Sequence, residues 1–189
     1  MGSDNRGTLH VQADHLCLEP AFVTLEEKVS QLFETLRAGV YRYVTTIVKN
    51  SSVAEEITQD TFIKLYDYLR GGGHVSHYRA WIFRTAHNLA LNESVRKSVT
   101  SAEVVDWEWL SQARPDPAPN PEQRALQRER YTRLRVVLND LSGQQRQCIL
   151  LRAEGFGYSE IAEILAVSKS TVGESLRRAM KKLKAKYDV

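Results

Sequence analysis

Residues 141–187 read LSGQQRQCILLRAEGFGYSEIAEILAVSKSTVGESLRRAMKKLKAKY and divide into three helical runs with two short breaks. Ser142 and Gln145 have the spacing of a capping box, which occupies orphan amides at a helix start. Cys148, Ile149, Leu150 and Leu151 give that first helix its apolar side. Gly155 and Gly157 are placed to end it, because glycine takes the left-handed cap conformation at little cost. Ser159 is placed to cap EIAEIL, whose Ile161, Ala162 and Leu165 sit at i, i+1 and i+4. A tight Ala-Val turn follows, and Ser168 caps the last helix. There Val172, Leu176, Ala179 and Leu183 recur at steps of four, three and four, which is one buried stripe. Two helices joined by a tight turn, with small Ala162 at their crossing, make a helix-turn-helix. The last helix is then the one that enters a DNA major groove.

The charges suit that placement. From Ser168 to the end, seven Lys or Arg stand against two acids. Lys181, Lys182, Lys184 and Lys186 follow the recognition helix, where phosphates would lie. A solvated three-helix bundle with a basic tail is the plainer alternative.

The chain has 189 residues, enough for one or two small domains, and at 42% hydrophobic it can bury a core. Cys17 and Cys148 are far apart and match no metal or redox spacing, which points to a reducing compartment. No apolar run is long enough to cross a membrane, and MGSDNRG lacks the apolar region of a signal peptide. The net charge of +3 is unevenly spread: −2 over residues 1–24, +2 over 25–97, −3 over 98–121 and +6 over 122–189. Two basic blocks around an acidic connector suit a protein whose two halves touch nucleic acid.

Residues 1–24 show no clear period and read as a loose extension. His10, His15 and Cys17 lack a fourth partner nearby and make a poor metal site. Residues 25–49 form an amphipathic helix, with Leu25, Val29, Leu32, Phe33, Leu36, Val40, Val44 and Ile47 in helical period. Asn50-Ser51-Ser52 breaks it, and Ser52 with Glu55 has capping-box spacing. The next helix, residues 53–69, puts Ala54, Ile57, Thr61, Leu65 and Tyr68 on one face. The other face carries Glu56, Gln59, Asp60, Ile63 and Asp67, an acidic stripe around an isoleucine. It suits a partner with basic and apolar groups; an ordinary charged face with one stray apolar residue is the alternative. The glycine run of residues 70–74 reads as a flexible loop; with no strand before it and no GK[ST] after it, it is not a P-loop.

Residues 78–97, YRAWIFRTAHNLALNESVRK, mix aromatics with cations and amides in a third long helix. Aromatics can stack on unpaired bases while cations hold the backbone. Trp81, Arg84, Asn88 and Asn92 fall within a sector of about 80° on a helical wheel, although at least one of Trp81 and Phe83 is expected in the core. His87 is read as a surface or DNA-side residue. The connector, residues 98–121, ends in ARPDPAPNP, which neither a helix nor a central strand accommodates. Asn120-Pro121 then starts a helix that leads into residue 141. Nothing reads as a strand, and no catalytic constellation or cofactor motif is visible. The expected fold class is all-α, two small helical domains joined by a Pro-rich acidic linker.

Over roughly residues 25–184 the chain resembles the extracytoplasmic-function (group-four) bacterial sigma factors. Three segments carry the resemblance. AEEITQDTFIKLYDYL resembles the region that docks on the β′ clamp helices of RNA polymerase. HYRAWIFRTAHNLALNESVRK resembles the region that reads and opens the promoter −10 element. LSGQQRQCILLRAEGFGYSEIAEILAVSKSTVGESLRRAMKKL is similar to the domain that reads the −35 element. The resemblance implies a non-catalytic, cofactor-free, cytoplasmic initiation factor with core polymerase (β′ and β), promoter DNA and an anti-sigma factor as partners, associated with the nucleoid when active. It implies core contacts from Glu56, Gln59, Asp60 and Ile63. It gives −10 contacts to Tyr78, Trp81, Arg84, Asn88, Asn92, Arg96 and Lys97, with Asn88 and the loop of residues 69–78 holding a flipped base. It gives −35 contacts to Lys169, Ser170, Thr171, Glu174, Ser175, Arg177 and Arg178. The connector would thread towards the polymerase active-site channel. In domain terms, residues 25–97 correspond to sigma domain 2, 98–121 to the linker and 122–189 to sigma domain 4.

The chain departs from the family pattern in the last helix. Members often carry Lys or Arg where Gly173 and Ser175 stand, and a small polar residue in place of Glu174. The −35 sequence therefore does not transfer from relatives. Glu174 is a candidate acceptor for a cytosine amino group, and Gly173 a place where backbone approaches DNA. Residues 141–183 also resemble the output domain of quorum-type response regulators, whose receiver or ligand domains are built on strands and which bind paired half-sites as dimers. A decoy that uses the sigma fold only to bind an anti-sigma factor is a further alternative.

Overall fold

The structure is a computed structural model that describes residues 24–97 and 138–187. The connector, the helix start at Asn120-Pro121 and the extension with His10, His15 and Cys17 lie outside the described residues. All regular structure among the described residues is helical: α1 (Leu25–Val48), α2 (Ser51–Arg70), α3 (Tyr78–Lys97), α4 (Gly143–Ala153), α5 (Tyr158–Leu165) and α6 (Lys169–Tyr187).

Local chemistry sets the ends of these helices. Thr24 and Glu27 form a capping box at α1: the Glu27 amide donates to Thr24 Oγ1 at 3.2 Å and the Thr24 amide to Glu27 Oε2 at 2.8 Å. Lys49 ends α1 in the left-handed region, φ 58°. The chain reverses there at once, so Asn50, not Ser52, caps α2; its Oδ1 accepts from the Val53 amide at 3.0 Å. The expected Ser52–Glu55 box is replaced by a cap two residues earlier. In the second half the Ser142–Gln145 box forms as read. Gly155, φ 92°, turns the chain after α4. Gly157 does not end α4 but caps α5, its amide donating to Glu160 Oε2 at 2.7 Å, so Ser159 lies inside the first turn. Ser168 caps α6, accepting from the Thr171 amide at 3.1 Å.

The glycine run after α2 is a shaped turn and not a loose loop. The amides of Gly71, Gly72 and Gly73 donate back to Asp67, Leu69 and Tyr68 carbonyls. Gly72 takes φ 86°, and a Cβ at Gly73 would run into the Tyr68 ring. That ring stacks on Trp81 of α3, with centroids 5.7 Å apart.

Helices α1–α3 pack on one another, as do α4–α6, and the two units meet where α5 lies on α3 and α4 on α1. Val40, Tyr43 and Val44 of α1, Leu65 of α2, Ile82 and Phe83 of α3, and Cys148, Leu151 and Phe156 of the second unit belong to one continuous buried cluster. Apolar burial is the main drive for such association. Phe156 inserts edge-on against Phe83, 4.9 Å between centroids, under the Arg79 guanidinium at 4.4 Å. Above this pair Glu154 Oε1 accepts from Arg42 Nη2 at 2.6 Å, and Glu154 Oε2 lies 3.9 Å from Arg79 Nη2. Gly39 makes room: a Cβ there would stand 2.8 Å from Glu154 Oε2.

Candidate polymerase and nucleic-acid surfaces

Helix α3 has two working sides. Arg79 and Phe83 meet the second unit, and Phe83, Ala86 and Ala90 are fully buried. The other side carries Arg84, Asn88 and Asn92, all exposed, and half-buried Trp81. On a wheel of roughly 100° per residue the two sets lie on opposite sides. Joining the two units therefore leaves the polar-plus-aromatic sector open. The stack of Trp81 on Tyr68 ties that sector to the glycine turn. Tyr78 stands apart from it: the ring is half-buried under Lys28 Nζ, 4.4 Å from its centroid. Arg96 is exposed and pairs with Glu93 at 3.1 Å, and the Lys97 side chain lies outside the described residues.

His87 is not at the surface. It is 4% exposed, and its Nδ1 lies 2.8 Å from the Tyr43 hydroxyl. Burial pushes its pKa below the ordinary value of 6.5, so the ring is held neutral and can accept from the phenol. The reason is register: His87 follows Phe83 by four and precedes Ala90 by three, on the edge of the buried stripe.

On α2 the residues Glu56, Gln59, Asp60 and Ile63 are all exposed, Ile63 at 57%. Gln59 and Ile63 line a groove of about 520 Å³ between α1 and α2, floored by Val29, Phe33 and Phe62. Glu26 and Glu34 of α1 also line it. The Tyr66 hydroxyl donates to Glu26 Oε1 at 2.7 Å, which lowers the carboxyl pKa and raises that of the phenol. The α1 half of this groove escaped the sequence reading, although Phe33 was visible in the helical period.

On α6, Lys169, Ser170, Arg177 and Arg178 are exposed, Thr171 is half-buried, and Ser175 is turned inward at 8% exposure. Ser175 follows Val172 by three and precedes Ala179 by four, so it belongs to the buried stripe. It lies on the side of the buried Cys148 thiol, whose pKa is raised by burial, with the Ser175 hydroxyl opposing that rise. Glu174 is clasped by its neighbours. Its Oε1 accepts from Arg177 Nη2 at 2.8 Å and Arg178 Nε at 2.6 Å, and its Oε2 from Arg177 Nε at 3.0 Å. The bonds from Arg177 and then Arg178 push the carboxyl down to about 2. Lys182 Nζ donates to the Asp140 carbonyl at 2.8 Å, tying α6 to the segment before α4.

Among the described residues no cluster of His, Cys, Asp or Glu could hold a metal ion, and no helix is long and apolar enough to cross a membrane.

Comparison with known proteins agrees with this layout. The pattern of Sigma-70 region 2 matches residues 32–99, and that of Sigma-70 region 4 matches residues 131–183. The chain is 29% identical over 162 residues to RNA polymerase sigma factor YlaC of Bacillus subtilis, covering 84% of this chain and 91% of the relative. It is 23% identical to ECF RNA polymerase sigma factor SigX of the same organism, covering 85% of this chain and 84% of the relative. The fold is similar to the sigma factor RpoE crystallised with the anti-sigma factor NepR from Bartonella quintana. That match has TM-score 0.64 and 20% identity, over 86% of this chain and 98% of the other. It is also similar to CnrH in complex with the cytosolic domain of CnrY, at TM-score 0.58 and 20% identity, over 86% and 89%. With both region patterns in order over most of its length, and relatives aligned over most of theirs, the chain belongs to the extracytoplasmic-function RNA polymerase sigma factors.

Proposed function

We propose that the two units divide promoter recognition between them and that neither is catalytic. The N-terminal unit, residues 25–97, docks on the polymerase β′ clamp helices. Exposed Ile63, beside an apolar groove and among Glu56, Gln59 and Asp60, carries this assignment. A basic partner with apolar side chains complements it. The open side of α3 captures an unpaired −10 base with Trp81, Asn88 and Asn92 while Arg84 holds the strand. The C-terminal unit, residues 122–189, places α6 in the −35 major groove, with residues 98–121 as the linker. An anti-sigma protein is the expected regulator: the similar RpoE was crystallised with the anti-sigma factor NepR, and the similar CnrH was solved with the cytosolic domain of CnrY.

The test is selection from a random-sequence promoter pool by holoenzyme made from this chain and bacterial core polymerase. Two separated blocks of base preference are expected, the downstream one weakened by Asn88→Ala. A single symmetric block bound without polymerase would instead indicate a dimeric regulator.

A further inference from the structure

The carboxylate of Glu174 stands at the centre of the exposed side of α6. Val172, Leu176 and Ala179 are buried on the inner side. Ser170, Glu174, Arg177, Arg178 and Lys181 occupy the other. A bare carboxylate in the middle of a duplex-facing helix would be repelled by phosphates. Here two guanidinium groups offset it and fix its direction.

The clasp leaves a defined set of free hydrogen-bonding sites. A carboxylate accepts at about four lone pairs. Oε1 takes two donors and Oε2 takes one, so one acceptor site on Oε2 remains open. Arg178 spends only Nε on Glu174, so both of its terminal nitrogens stay available. In the major groove only cytosine N4 and adenine N6 offer donors. Adenine sets its N7 acceptor beside that amino group, where it would face the electron-rich carboxylate. Cytosine presents no acceptor there, and its partner guanine presents O6 and N7, which suit an arginine fork.

We propose that Glu174, held by Arg177 and Arg178, is a specificity-determining residue that selects a C·G pair within the −35 element, with cytosine at the carboxylate and guanine at Arg178. This rests on the placement of α6 in the −35 groove. Arg177, bidentate on Glu174, acts as the positioning residue. The clasp also withholds cationic charge from phosphates, so Glu174 exchanges non-specific affinity for selectivity.

The test is the same promoter selection, run with wild-type, Glu174→Ala and Glu174→Gln holoenzymes. Wild type should prefer cytosine about tenfold at one upstream position. Glu174→Ala should flatten that position and leave the other upstream positions in place. Glu174→Gln should move the preference towards adenine, because an amide matches adenine N6 and N7 together. On random-sequence duplex the free Glu174→Ala chain should show a steeper salt dependence, by about one unit of log K against log[salt] for each extra phosphate contacted. An upstream block unchanged by Glu174→Ala would overturn the role of Glu174 alone. Absence of any upstream block in wild type would overturn the −35 placement and this assignment with it.

Discussion

Glu154 and Glu174 each draw two arginines onto one carboxylate, at two different places in the second unit. At Glu154 the arginines come from across the molecule: Arg42 of α1 and Arg79 of α3. At Glu174 they come from the next turn of the same helix. The Glu154 cluster sits over buried Phe156, its side chain 22% exposed, whereas the Glu174 cluster stands on an open face. The same ion-pair chemistry therefore does different work. Around Glu154 it joins two units, backed by an aromatic contact that excludes water. Around Glu174 it contributes little to stability, because exposed pairs are screened and cost side-chain entropy, and its consequence is which donors and acceptors face outward.

That contrast can be broken from the largest effect downward. Phe156→Ala removes the fully buried ring between Phe83 and Arg79. It should cost about 3–5 kcal/mol in chemical denaturation; a loss near zero would show that the two units do not depend on this contact. Glu154→Gln keeps the shape but removes the charge between Arg42 and Arg79. After allowance for its partial exposure, a cost of about 1 kcal/mol is expected, together with a more extended shape in small-angle scattering. Glu174→Gln, by contrast, should leave the unfolding midpoint unchanged.

A smaller, pH-dependent effect separates the buried interior of the first unit from the open Glu174 face. Burial lowers the His87 pKa below 6.5, so between that lowered value and 6.5 the unfolded chain binds more protons than the folded one. Stability should therefore fall as pH drops through 6.5. The melting temperature of wild type should drop more between pH 7.5 and 5.5 than that of His87→Gln. Equal drops would remove His87 from the cause. Glu174, pushed down to about 2, stays ionised throughout that range.

Helix-level features were readable because their causes are local. The Ser142–Gln145 box, the Ser168 cap and the α6 stripe depend on residues three or four apart, and they stand as read except that the stripe is buried from Val172 to Ala179 and only half-buried at Leu183. Two caps moved because competing residues of similar quality stood close by. Lys49 in the left-handed region gave α2 to Asn50 instead of Ser52, and Gly157 took α5 ahead of Ser159. His87 and Ser175 are polar and read as outward, yet their spacing to Phe83, Ala90, Val172 and Ala179 places them inside, and in the fold register outweighs side-chain polarity. The joint between the units could not be read at all. Arg42 and Glu154 are 112 residues apart in sequence, and no local period records that pairing or the room Gly39 leaves for it. The exposed acidic stripe of α2 was legible, whereas its groove needed Phe33 and Phe62 brought together, 5.1 Å between centroids.

A sigma factor acts only with polymerase, so the most direct measurement is titration of the labelled chain with bacterial core RNA polymerase, alongside Gln59→Ala/Asp60→Ala and Ile63→Asp variants. Docking through α2 requires tight binding by wild type and clearly weaker binding by both variants, with their folds intact by circular dichroism. No binding at micromolar core, or equal binding by all three proteins, would contradict docking through that face.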